Sequence, residues 1–222
     1  MERLKSLDPP HKGLRNILSQ FSLLAGKTAY SNLEEVNELK ALGSDLFHLL
    51  ENHAFTEESY ILAPLKAKHA EATTEIEAEH SKLDILETKI KDALGSFDGT
   101  QSDDEGHEFY LMFSEFHSTY LMHIAEEDRN LEIRMQEAFM DEELIQHQMA
   151  IMASMDFPTL LLWFKYIVPA RRIEENAQVL KAFKAGAPEE AYTAVLDTIR
   201  PQLSEERFNA ILSLAHSSWA EI

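Results

Sequence analysis

The stretches His53-Ala54-Phe55-Thr56-Glu57 and His123-Ile124-Ala125-Glu126-Glu127 repeat one pattern: an imidazole and a carboxylate four residues apart, followed by a further acid, Glu58 or Asp128. On an α-helix, residues i and i+4 sit one above the other on the same face. Each pair can therefore grip one metal ion from one helix. Two such pairs on facing helices would make a site for two metals.

Working outward, both motifs fall in phase with long apolar stripes. Val36, Leu39, Gly43, Leu46 and Leu50 lead into His53 and Glu57. Phe109, Phe113, Phe116 and Tyr120 lead into His123 and Glu127, with Leu131 beyond. Steps of three and four mark a buried helix face. The pattern predicts helices over about 33–69, bent near Pro64, and over about 104–139. A helix opening at Asp8-Pro9-Pro10 carries the stripe His11, Leu14, Leu18, Phe21 and Ala25. Another, over about 70–94, turns Ile76, His80, Leu83, Leu86 and Ile90 inward. Short connections join the four, so the predicted fold is all-α, an antiparallel up-down four-helix bundle over 1–140. Beyond 141 the helices shorten, broken at Pro158, Pro169, Pro188 and Pro201. Residues 141–222 read as additional C-terminal helices, a helical extension packed on the bundle or a protein-partner element.

Composition narrows the chemistry. Only 7 Gly and 7 Pro in 222 residues suit a nearly all-helical chain, and 45% hydrophobic residues suffice for a core. Cys is absent, so disulfides, thiolate metal sites and Cys nucleophiles are excluded. His and carboxylate ligands suit iron, manganese or zinc better than copper(I). A formal charge of −19 argues against nucleic acid or an anionic membrane as partner. Residues 1–10 lack the apolar core of a signal peptide, and the most apolar stretch, 157–170, is too short to span a bilayer. These features predict a soluble, cytoplasmic protein.

His11, His53, Glu57, His80, His123 and Glu127 all lie on core faces, where polar groups are costly unless paired or bound to metal. In an up-down bundle the two motifs and His80 fall about 15–24 Å from one end, at 1.5 Å per residue. His11 starts its helix from that end, with residues 1–10 covering the gap. Four His and two Glu leave positions open on two octahedral ions, even with a bridging oxide or hydroxide. A carboxylate has two oxygens and can bridge. Phe113, Phe116 and Tyr120 would wall the site from water.

These residues resemble the hemerythrin-like family of HHE cation-binding domains, over about residues 8–140. The family pattern is a His opening the first helix, His-x3-Glu on the second, a His on the third and His-x3-Glu on the fourth. Here these are His11, His53 with Glu57, His80, and His123 with Glu127. The resemblance implies a non-haem di-iron centre, two iron ions with an oxo or hydroxo bridge. It also implies a protein that binds or senses dioxygen, nitric oxide, peroxide or the iron and redox state of the cell. Oxygen-carrying members have a second His four residues away on the third helix. The residues at those positions are Ile76 and Asp84, which argues against stable reversible oxygen carriage. The tail beyond 141 resembles helical tails of a bacterial subgroup.

Alternatives follow from the same residues. One is a di-iron oxidase or peroxidase-type enzyme. Another is a helical interaction protein with a structural metal site. Glu58 and Asp128 stand five residues after the motif histidines and turn off the stripe; they read as surface acids or outer hydrogen-bond acceptors. Asp84 reads the same way. His48 and His117 read as structural, His69, His107, His147 and His216 as surface residues. Met149, Met152 and Met155, at helical spacing, read as core packing.

Overall fold

A computed structural model of the protein describes residues 3–71 and 73–217. The chain divides into two compact units, Met1–Met155 and Asp156–Ile222. Among the described residues it is helical, with no strand.

The first unit is a four-rod bundle. Rod one is α1 (Asp8–Lys27). Rod two runs through α2 (Leu33–Glu57), a π turn (Glu58–Leu62) and α3 (Ala63–Lys68). Rod three is α4 (Thr74–Ser96). Rod four runs through α5 (Asp103–Glu126), a second π turn (Glu127–Leu131) and α6 (Glu132–Ala138). α1 packs on α2 and α5, and α4 packs on the same two, so the rods form a closed square. A further helix, α7 (Asp141–Ser154), belongs to this unit.

The rods begin where capping chemistry allows. The Asn32 side chain accepts from Glu34 N at 3.0 Å. Ser102 and Glu105 form a reciprocal capping box at the head of α5. The third rod starts at Thr74, a turn later than the stripe predicts. The two motif-bearing rods are each interrupted by a π turn. Pro64 follows the first, but the second contains no proline and has none nearby, so proline is not the shared cause. The first turn begins directly after its His-x3-Glu motif, at Glu58, and the second at the motif's own carboxylate, Glu127. π turns cluster at functional sites, because the widened ring re-aims side chains at the cost of poorer hydrogen bonds.

Toward the loop end the rods enclose an aromatic layer. Phe21 packs tilted against Phe113 at 4.4 Å between centroids, and Tyr30, Phe97 and Phe109 pack edge to face. Gly106 makes room for it: a Cβ there would lie 2.2 Å from the Tyr30 ring. At the other end Leu7, Ile61, Leu62, Leu65, Ile76, Leu131, Met135 and Leu144 form an apolar plug. Residues 3–7 are strapped across it. The buried Glu132 carboxylate accepts from Ser6 N at 3.1 Å and Leu7 N at 2.9 Å, and Gln136 donates to Leu4 O. The polar residues of interest lie between plug and aromatic layer.

The second unit has its own core. Its helices are α8 (Phe157–Ile167), α9 (Ile173–Gly186), α10 (Glu189–Ile199) and α11 (Glu205–His216). They bury Phe164, Leu180, Tyr192, Val195, Ile199, Phe208 and Ile211. Asp156 and Ser204 cap α8 and α11, accepting from Thr159 N and Arg207 N. The methionine reading fails on α7: Met149 is 66% and Met152 49% exposed, so they are not core residues.

Candidate metal centre

All six predicted residues converge in one buried layer. His11, Glu57 and Glu127 are at most 1% exposed, and His53, His80 and His123 are at most 8%. The imidazoles form two pairs across neighbouring rods. His11 of α1 meets His53 of α2 edge to face at 5.1 Å, and His80 of α4 meets His123 of α5 at 4.9 Å. The carboxylates stand between the pairs. Glu127 Oε2 lies 3.3 Å from His11 Nε2, while its Oε1 lies 3.0 Å from His123 Nε2 and 3.6 Å from His80 Nε2. Glu57 Oε2 lies 3.5 Å from His53 Nε2 and 3.6 Å from His80 Nε2. Two ligand sets emerge: Glu57, His80, His123 and Glu127; and His11, His53 and Glu127. The sets are therefore not one per motif, as one helix gripping one ion would have it. His53 and Glu57 contribute to different sets, and Glu127 belongs to both.

The outward ring nitrogens meet a second ring of acids. Asp128 Oδ1 stands 2.6 Å from His11 Nδ1, and Arg15 Nη2 holds its other oxygen at 2.7 Å. Glu79 Oε2 stands 2.9 Å from His123 Nδ1. The half-exposed Glu58 lies 3.6 Å from His80 Nδ1. A carboxylate on Nδ1 fixes the tautomer that leaves the Nε2 lone pair pointing inward. Of the acids left open in the sequence, Asp128 is an outer acceptor and Asp84 is an exposed surface acid. Glu79 escaped the sequence reading altogether: it sits next to His80, but its partner is His123 on another rod.

The model of the hemerythrin HHE cation binding domain matches residues 3–132. The chain belongs to the hemerythrin HHE family. No curated protein and no solved structure matches it.

An HHE domain requires a donor set that a cation can complete, and this layer offers one. His11 Nε2, His53 Nε2 and all four oxygens of Glu57 and Glu127 are buried without a hydrogen-bond partner. They lie close to one another but are not aligned as donor and acceptor. Unsatisfied buried polar atoms cost about 1–3 kcal/mol each, more when charged. Six at one level are explained by lone pairs aimed at common points, where a cation satisfies them together. Lone His or Glu residues in a core make no such cluster.

Electrostatics agrees with shared charge. Burial, with Glu127 alongside, pushes the Glu57 carboxyl well above the usual carboxylate range. Burial also works against the Glu127 charge, but the imidazoles of His11, His123 and His80 hold its carboxyl pKa well below that range. Burial and the neighbouring His11 drive the His53 imidazole down to about 3. His11 and His123 are raised despite burial, through Asp128 and Glu127 for the first and Glu127 and Glu79 for the second. The two carboxyls are thus driven in opposite directions by one shared environment. A bound metal ion requires its ligands deprotonated.

Tyr120 packs edge to face against His123 at 5.9 Å and walls the site directly. Phe116 and Phe113 lie one and two turns further into the aromatic layer. His48 is exposed, and His117 packs beside Phe113. His69, His107 and His216 are exposed, while half-buried His147 packs edge-on to Phe139. Among the described residues no single helix is long and apolar enough to cross a membrane.

Proposed function

We propose that the protein is a non-haem di-iron protein of hemerythrin type, binding or sensing dioxygen, nitric oxide, peroxide or the cellular iron and redox state. One observation carries the reading: two ligand sets share Glu127, whose two oxygens face different imidazole pairs. His11 and His53 would hold one iron and His80 and His123 the other. Glu127 would bridge them, and Glu57, poised between His53 and His80, would bridge as well. Two imidazoles and two carboxylate oxygens per ion leave coordination positions open, which a purely structural site lacks. Bound iron supplies reversible redox chemistry and affinity for small oxygen- and nitrogen-containing ligands.

The chain's own residues prepare that site. Asp128 and Glu79 orient His11 and His123. Tyr120 and the apolar plug exclude water. The charge of −19 argues against nucleic-acid or anionic-membrane partners. The separately cored unit Asp156–Ile222 is suited to a protein partner.

The test is metal analysis of purified protein with an absorption spectrum. Two irons per chain support the reading; folded protein that takes up no iron contradicts it. Steady-state oxidation of a reducing substrate by the iron-loaded protein would move the assignment from sensor to oxidase.

A further inference from the structure

Among the described residues the buried acids are Glu57, Glu127 and Glu132. The oxygens of the first two have no hydrogen-bond partner. Glu132 is the opposite case: it accepts from Ser6 N at 3.1 Å, Leu7 N at 2.9 Å and Gln136 Nε2 at 3.4 Å. Its lone pairs are engaged by donors, so it is no metal ligand. What it holds is the start of α1. Leu7 O accepts the first backbone bond of that helix, from His11 N at 3.1 Å. Leu7 offers no side-chain cap, and Pro9 and Pro10 lack the N–H groups that a local cap would bind. Glu132 supplies the anchor from rod four instead.

Rod four thus grips His11 at both ring nitrogens and at the backbone before it. Glu127 Oε2 lies 3.3 Å from Nε2, Asp128 Oδ1 lies 2.6 Å from Nδ1, and Glu132 fixes Leu7, one turn upstream. The second π turn makes this possible. In a regular α-helix, residues five apart, such as Glu127 and Glu132, point about 140° away from each other. A π turn bonds i to i+5, here Glu132 N to Glu127 O, and brings both side chains round to α1. From this geometry, and resting on the di-iron reading, we propose that Glu132 is a positioning residue for the His11–His53 metal position. By anchoring α1 it sets the height of the His11 imidazole, and the docking of residues 3–7 governs how tightly that position holds its ion. His11 belongs to one ligand set alone, so the other set, Glu57, His80, His123 and Glu127, keeps all its members when the anchor is lost.

Iron binding to the full-length protein under chelator competition, together with amide exchange at Ser6, Leu7 and His11, tests the assignment. For Glu132→Ala the expected result is one iron held as in wild type, a second weakened about 10–100-fold, and faster exchange at the three amides. The iron that remains should match the absorption spectrum of the one left in His11→Ala. Glu132→Gln keeps an accepting oxygen and should recover part of the lost affinity. Phe113→Ala, which lowers stability from the aromatic layer, should keep both irons at wild-type affinity, so lost stability alone does not mimic the effect. If Glu132→Ala does not fold, Arg3→Ala combined with Gln136→Ala loosens residues 3–7 from their outer side. Weakening of one iron there supports the proposal, and two irons at wild-type affinity overturn it. In Glu132→Ala itself, wild-type affinity for both irons, or equal weakening of both, would overturn the positioning role while leaving the di-iron reading intact. Wild-type protein that holds fewer than two irons would overturn the di-iron reading and the proposal with it.

Discussion

The aromatic layer and the metal layer are built by the same four rods, one above the other, yet they solve opposite problems. Phe21, Phe109, Phe113 and Phe116 fill their level with hydrocarbon, all at most 2% exposed. A few turns along, the same stripes deliver four imidazoles and two carboxylates into equal burial. The first layer stabilises the bundle by itself; the second costs stability until a cation fills it. The aromatic level therefore acts as scaffold, which frees the neighbouring level to hold a charged site. Among the described residues the two π turns of the bundle lie on the functional side, one beginning just after Glu57 and the other at Glu127.

The sharpest way to break this contrast is Glu127→Ala. Both ligand sets lose a member, so iron should fall from two per chain to fewer than one, with helical circular dichroism of the apoprotein retained. Loss of the fold would mean that the polar layer is scaffold after all. Next comes Phe113→Ala. Removing this fully buried ring should cost about 3–5 kcal/mol in denaturant unfolding, in apoprotein and loaded protein alike, with iron stoichiometry unchanged.

Asp128→Asn sharpens the contrast inside the metal layer. It weakens the partner that orients His11 and should reduce iron affinity about 10–100-fold, measured by competition with a chelator, without changing apoprotein stability comparably. The smallest expected effect lies back in the scaffold. Burial lowers the His117 pKa below its ordinary 6.5, so the folded state keeps this ring neutral where the unfolded chain protonates it. Its contribution is fully present above pH 6.5 and is lost as pH falls through and below that value. Wild type should therefore lose slightly more stability than His117→Gln between pH 7 and pH 5.

Much of this contrast was legible in the sequence. The i, i+4 spacing and the apolar stripes placed His53, Glu57, His123 and Glu127 on core faces. Counting helical rise brought His80 and His11 to their level. What remained hidden was whatever joins distant segments or departs from α-helical periodicity. Glu79 serves a histidine on another rod. Glu132 serves backbone amides more than 120 residues away. The π turns break the wheel on which Asp128 points away, so its contact with His11 does not follow from spacing. The exposed methionines of α7 share the stripe of a core helix, and periodicity alone cannot tell a buried stripe from an uncovered one.

Anaerobic titration of the metal-free protein with iron(II), monitored as bound iron per chain, addresses the shared-carboxylate site most directly. A break at two equivalents, reduced below one in Glu127→Ala, is the predicted result. No uptake, or the same break in wild type and Glu127→Ala, would contradict a centre in which one carboxylate serves two ions.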